Sequence, residues 1–390
     1  MRCRKKEQVE ESCYDLSVAR MRKCFERYDK VVVSFSGGKD STACLQIALD
    51  VAREQERLPL EVISFDEEAI PPDTVDYMQR VADMPEVDFR WYCVPIQHRN
   101  ACSEKQPYWY PWHPDDKEKW VRDLPATAIT EIPGFKHGMG IPECIPLIYG
   151  PEHGTVAMVL GIRCQESMTR YRSIAAKPAH IKDDAFLTSH PTSKHIVKAC
   201  PIYDWNTEDV WRAPSVMGWD YNTAYDALER AGVTRHLQRC APPFGEQPIR
   251  GLSNFKVCWP ELWGKMVDRV PGAATAARYA NTHLYACGIS DEDLPSGHTW
   301  RSYTFDLAKR LSGESKKEVC EAVEQLIKAH QKLSKDPIPD EKPHDRTGYC
   351  WKDICVVARV GGNKFGRQTQ KINKKAILHR IKMGVPYAAD

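Results

Sequence analysis

A chain of 390 residues, 42% hydrophobic and 28% charged, has the length to bury a full α/β core and the composition of an ordinary globular protein. A formal net charge of +2 points to no partner by itself, and no apolar run of about 18 residues exists to span a membrane. The 15 cysteines are odd in number and nowhere spaced C-x-x-C, so no Fe–S or zinc site is predicted from spacing, and they read as small buried hydrophobes.

Residues 1–30 read as a charged helical segment. The opening MRCRKKEQVEESCYD has basic residues but lacks the apolar stretch of a secretory signal, so the chain is expected in the cytoplasm. Val31–Phe35 form a mostly β-branched run suited to a buried parallel strand, and TACLQIALDVA after Ser41 suits a helix packed on that sheet. Between them stands Ser36-Gly37-Gly38-Lys39-Asp40-Ser41. The glycines allow a sharp turn and a close approach of backbone to ligand. The first amides of the helix, the positive end of its dipole, Lys39 and two hydroxyls then face whatever the loop holds. This is a phosphate cradle, though not the Walker A form, which requires G-x-x-x-x-G-K-[ST].

LEVISF (60–65), VDFRWYCVPI (87–96) and TVAMVLGI (155–162) read as three further strands. Strands separated by helix-length segments predict an α/β fold, a doubly wound and mostly parallel sheet, with ligands at the carboxyl ends of its strands. The insertion at 97–153 is too long for a simple connection and is expected to form a lid, with Trp109, Trp112 and Trp120 packing inside it. Beyond the fourth strand come Gly161-Ile162-Arg163-Cys164-Gln165-Glu166-Ser167, Arg170 and Arg172, whose guanidinium forks suit a bound anion. In PIYDWNTEDVW (201–211), Asn206 or Thr207 caps a helix while Trp205 and Trp211 pack inward. The chain then turns helical, with one helix over WPELWGKMVDRV (259–270) and another over 316–334. DPIPDEKPHD (336–345) reads as a linker. From Ile354 to Ala389 there are eight Lys or Arg and no Asp or Glu, a pattern suited to nucleic acid or to a solvated tail. The expected organisation is a helical segment 1–30, a nucleotide-binding domain 31–215, a helical region 216–335, the linker, and a basic appendage 346–390.

SFSGGKDS, GIRCQES with its trailing arginines, and PIYDWNTEDVW, in this order and spacing, resemble the PAPS reductase-like family of the PP-loop ATP pyrophosphatases, the adenine nucleotide α-hydrolase group. The resemblance spans about residues 20–215. WYCVPIQHRNA, WHPDDKEKW, RCAPPFGEQPIRGL and PELWGKMVDRVPGA resemble a narrower bacterial and phage branch often paired with a ParB-like protein, which extends the likeness to about residue 273. The family likeness implies a central, mostly parallel sheet with an adenine nucleotide at its carboxyl edge; the expected cofactors are ATP and Mg²⁺, and the helical region past Trp211 is expected as a C-terminal extension. By carry-over, Ser34, Ser36, Gly37, Gly38, Lys39, Asp40 and Ser41 bind phosphates. Asp66 lies where the ribose or the metal sits, with Asp40 as the other metal carboxylate. Gly161, Arg163, Glu166, Arg170 and Arg172 line the α-phosphate side, and Lys39, Asp40 and Arg163 act in the reaction.

One departure from the reductases matters. They carry a cysteine in an E-C-G-x-H setting near the C-terminus, which ACGISDED (286–293) and GYCWKDIC (348–355) do not match. The complete lysine–aspartate loop suits ATP better than PAPS. The expected reaction is cleavage of ATP at its α-phosphate to adenylate an acceptor, for sulfur transfer or nucleic-acid modification. Two alternatives stand beside it: a sulfonucleotide reductase or sulfurtransferase, with Cys164, Cys144 and Cys240 the thiols to inspect, and a non-catalytic nucleotide sensor acting with a ParB-like partner.

Overall fold

The computed structural model describes residues 11–103, 105–175, 185–245, 248–279, 294–295, 297–360 and 365–384. Residues 1–10 of the expected N-terminal segment, and Lys364 and 385–390 of the basic C-terminus, lie outside them. The chain divides into two compact units, Met1–Tyr285 and Ala286–Asp390.

In the first unit, α1 (Cys13–Arg27) leads into β1 (Lys30–Ser34), α2 (Lys39–Glu54), β2 (Leu60–Phe65), α3 (Pro72–Ala82) and β3 (Val87–Tyr92). The long insertion holds an antiparallel pair, β4 (His98–Arg99) and β5 (Tyr108–Trp109), then β6 (Ala128–Ile129) and α4 (Ile141–Ile148). There follow β7 (Val156–Val159), α5 (Met168–Ala175), β8 (Leu187–Ser189), β9 (Ile196–Ala199), α6 (Thr207–Met217), α7 (Ala224–Arg230), α8 (Leu252–Cys258), α9 (Pro260–Arg269) and α10 (Ala273–Tyr279).

Seven strands form one sheet in the order β6-β3-β2-β1-β7-β9-β8, parallel throughout except where β8 runs against β9. The central strands are buried on both faces, which is why Val31–Val33 and Val156–Val159 read as continuous apolar runs. From β1 the chain steps outward to β2 and β3, then returns to β7 on the other side of β1. That reversal falls between β1 and β7, and the carboxyl ends of strands at such a point are where doubly wound sheets bind ligands. The α2 helix covers the sheet beside it. Ala43, Cys44, Leu45, Ile47, Ala48, Leu49, Val51 and Ala52 are all buried, and each larger side chain contributes about 1.5–3 kcal/mol by leaving water.

The insertion supplies more than a lid: β6 adds a strand to the sheet edge beside β3. Nor does an apolar break fall at residue 215. Trp109 and Val121 of the insertion share one buried cluster with Tyr225, Phe244, Phe255, Leu262 and Met266.

The second unit contains α11 (Trp300–Arg310), α12 (Gly313–Gln331), α13 (Trp351–Val360) and α14 (Phe365–Lys382). Its core joins Trp300, Val319, Leu326, Trp351, Ile354, Val357, Ile372 and Ala376. The proline-rich 336–345 segment is tied into this core instead of hanging free. The Asp340 carboxylate accepts the amides of Trp300 and Arg301 at 2.9 and 3.0 Å, capping α11, and His330 is bonded to Thr347 and to the Asp336 carbonyl, each at 2.7 Å. The basic segment likewise forms a packed helix whose Ile372 and Ala376 face the core. Among the described residues no helix is long and apolar enough to cross a membrane.

Candidate functional site

Ser34 ends β1 in register with Ile63, and the chain then turns through Gly37, whose φ of +69° favours glycine. Any side chain there would also strike Thr74, 2.9 Å from the position of a Cβ. The loop is held in shape by its serines. The Ser41 hydroxyl donates to the Gly38 carbonyl at 2.9 Å and accepts the Ser36 amide at 3.2 Å, with the two hydroxyls 3.1 Å apart. Gly38 is the N-cap of α2, and the first bond inside that helix runs from the Thr42 amide to the Gly38 carbonyl. The amides of residues 39–41 therefore precede the helical ladder, with the positive end of the dipole behind them.

From its place beside β1, β7 delivers Gly161 directly onto this helix head. A Cβ on Gly161 would lie 2.7 Å from the Asp40 carbonyl carbon and 2.8 Å from the Ser41 nitrogen, so only glycine allows the two chains to pack so closely. Two residues further, Arg163 turns inward. Its Nε donates to the Asp40 carboxylate at 2.5 Å, its side chain is 4% exposed, and its Nη1 is buried with no hydrogen-bond partner. A buried guanidinium N–H without an acceptor is costly and marks a place where an anion fits. The Lys39 ammonium, 3.5 Å from the Asp40 carboxylate, stands on the same helix turn.

The remaining predicted arginines sit differently. Arg170 pairs with Glu166, whose carboxylate also accepts the Arg163 amide at 3.1 Å, and Arg172 is exposed on α5. Glu166 thus shapes the turn that presents Arg163. The 201–211 motif braces the same turn. Asn206 caps α6 by accepting the Asp209 amide at 3.0 Å, the Thr207 amide donates to Gln165 at 2.7 Å, and the Tyr203 carbonyl accepts the Cys164 amide at 2.8 Å. Trp205 packs inward and bonds Ser17 at 2.8 Å, whereas Trp211 turns its ring toward the loop, 5.8 Å from the Lys39 ammonium.

Asp66 lies at the end of β2 with its side chain fully enclosed. One carboxylate oxygen accepts Trp91 Nε1 at 2.7 Å and an Arg122 N–H; the other accepts the Glu68 amide at 2.8 Å and Trp112 Nε1 at 3.3 Å. These four donors fill the acceptor positions of a carboxylate, leaving none for a ribose or a metal. With Asp40 engaged by Arg163, the two carboxylates do not fit a Mg²⁺ site. Among the described residues no group of three or more His, Cys, Asp or Glu is placed to hold a metal ion. Glu67, the neighbour of Asp66, has its carboxyl pushed above the ordinary range by burial, an effect His98 opposes and Asp66 reinforces.

Several residues at the site had no signal in the sequence pattern. The Tyr225 hydroxyl accepts the Lys39 amide at 3.0 Å and its ring lies 5.3 Å from the Lys39 ammonium. Asn222 donates to the Gly37 carbonyl at 2.8 Å and to Thr74 at 2.9 Å. Of the three thiols singled out above, Cys240 alone adjoins the loop, beside Tyr225, Thr74 and Lys39; burial pushes its pKa up to about 11, although all three neighbours oppose the rise. Burial also raises Cys144 to about 11 and shifts Cys164 upward. These are thiols at neutral pH and not thiolates.

A family model described as a phosphoadenosine phosphosulfate reductase domain matches residues 30–232, and one described as a domain of unknown function, DUF3440, matches residues 232–333. The uncharacterized protein YbdN of Escherichia coli (strain K12) is 28% identical over 340 residues, covering 84% of this chain and 83% of that protein. Among solved structures, a phosphoadenylyl-sulfate (PAPS) reductase from Candida auris in a phosphate complex is 16% identical with a TM-score of 0.32, covering 57% of this chain and 93% of that one. A Candida glabrata FMN adenylyltransferase with FAD and pyrophosphate is 13% identical with a TM-score of 0.34, covering 57% and 64%. The U34-tRNA thiolase NcsA of Methanococcus maripaludis is 14% identical with a TM-score of 0.29, covering 74% and 88%.

Proposed function

The chain belongs to the phosphoadenosine phosphosulfate reductase domain family, and from that premise we propose that it binds ATP and transfers the adenylyl group to an acceptor. The observation that carries the reading is the buried Nη1 of Arg163, which has no hydrogen-bond partner, on a guanidinium whose Nε bonds Asp40, the carboxylate 3.5 Å from the Lys39 ammonium. An acceptor oxygen attacks the α-phosphorus, forming a new P–O bond. The bond from that phosphorus to the α–β bridging oxygen breaks, its electron pair leaves with pyrophosphate, and the acceptor proton passes to solvent. Lys39, the loop amides and Arg163 stabilise the charge that develops on the phosphate oxygens, usually the largest contribution in such transfers. No step is assigned to Mg²⁺, because Asp40 and Asp66 are not arranged to hold one. The raised Cys240 thiol beside the loop supports adenylyl transfer over a reductase mechanism, which needs a thiolate.

Calorimetric titration with ATP and with PAPS, combined with pyrophosphate release from ATP, tests this. ATP is expected to bind more tightly, and Lys39→Ala to lower pyrophosphate release by about 100-fold or more. Tighter PAPS binding with thiol-dependent turnover would replace adenylation with the reductase reading.

A nucleic acid is the acceptor class favoured by the second unit, where α14 exposes Lys371 and Lys374. The affinity of the whole chain for duplex DNA should then fall with salt, and Lys371→Ala with Lys374→Ala should reduce the logarithmic slope by about 2. A slope identical in the wild-type chain and the double variant removes α14 from the reading.

A further inference from the structure

Gly38 occupies the N-cap of α2 but has no side chain to satisfy an orphan amide there, a task usually performed by Ser, Thr, Asp or Asn. In this structure the oxygen arrives from far along the chain. The Tyr225 hydroxyl accepts the Lys39 amide at 3.0 Å across a separation of 186 residues. A Cβ built on Gly38 would come within 3.4 Å of that hydroxyl and 3.3 Å of Ser36 Oγ, so the tyrosine oxygen stands where a local capping group would reach. The same side chain acts on the end of Lys39. Its ring lies 5.3 Å from the ammonium, and Trp211, packed edge-to-face on Tyr225 at 5.1 Å, lies 5.8 Å from it. A lysine on a flexible stem beside Asp40 has many conformations available; two aromatic faces opposite that carboxylate narrow them.

The rest of the segment is built to keep Tyr225 in place. Asn222, 1% exposed, clamps the Gly37 carbonyl and Thr74 with its amide and accepts the Ala224 amide at 2.9 Å with its oxygen. Tyr225 is buried, and burial holds its hydroxyl protonated with a pKa well above the ordinary range. The hydroxyl can therefore accept from the loop amide and still carry its own proton, with the Cys240 thiol beside it.

We propose that Tyr225 is the positioning residue of the phosphate loop, its hydroxyl fixing the Lys39 amide and its ring aiming the Lys39 ammonium at the bound anion. This assignment rests on the ATP reading. It acts through Lys39, and Tyr225 itself touches no reacting atom.

Inorganic pyrophosphate is the probe, titrated calorimetrically into the full chain. Tyr225→Phe keeps the ring and removes the oxygen, and is expected to weaken binding about 10-fold. Tyr225→Leu removes both and should weaken it about 10-fold more, as the ammonium loses the nearer of its two aromatic faces. That second step, from Phe to Leu, should vanish when both are made in a Lys39→Ala background. A tyrosine that serves only as packing would cost the same in either background. Wild-type affinity in Tyr225→Phe, or an equal Phe-to-Leu step with and without Lys39, overturns the assignment; should the Leu variant fail to fold, the Phe variant decides alone. Failure of the unmodified chain to bind pyrophosphate would instead overturn the ATP reading itself.

Discussion

Two clusters stand at the carboxyl ends of neighbouring strands, and they are built on opposite principles. At β1 and β7, Arg163 keeps a buried N–H without an acceptor beside Asp40 of the α2 head. At the end of β2, Asp66 and Glu68 are paired instead. Asp66 takes four donors, and the Glu68 carboxylate accepts Arg269 at 2.9 and 3.1 Å, the Trp112 amide at 2.7 Å and the Val121 amide at 3.2 Å. Arg269 in turn reaches Asp116 at 3.1 Å and the Tyr110 carbonyl at 2.7 Å. Both clusters pair a carboxylate with an arginine close to the carboxyl end of a strand. What separates the proposed binding site from a staple is the balance of donors and acceptors: under that proposal the unmet donor takes the ligand, and the other network ties the insertion and α9 to the sheet.

The comparison breaks most visibly at Glu68. Glu68→Ala takes the buried carboxylate away from Arg269, itself 5% exposed, and from the Trp112 and Val121 amides, and should cost about 3–5 kcal/mol, seen as a fall in melting temperature of roughly 6–20 °C. Pyrophosphate affinity measured below that transition should stay close to the wild-type value. A variant that melts normally but loses the anion would move Glu68 from the staple to the site. A smaller effect is expected at the seam between β7 and α2. Gly161→Ala pushes a methyl into the Asp40 backbone and should cost about 1–3 kcal/mol while loosening pyrophosphate binding about 10-fold. Unchanged affinity there would show that the approach of β7 does not shape the cradle.

The sequence alone determined what is local. A β-branched run, two glycines, a lysine and an apolar helix specify strand, turn and helix head within a few residues, because period and backbone freedom act at short range. Arg163 past the end of β7 and the Asn206 cap were legible for the same reason, although β7 ends at Val159, short of the 155–162 read from the sequence. Asp66 looked equally available in the sequence, yet its partners Trp91 and Arg122 lie 25 and 56 positions away, so only folding could show that its acceptors are full. Tyr225 is the converse case. Nothing in its neighbourhood marks it, and it becomes part of the loop only when the fold brings its hydroxyl to the Lys39 amide. Hydrogen-bond capacity is written in the residue, but whether it is spent or left open is a property of distance in space, which the tertiary structure decides.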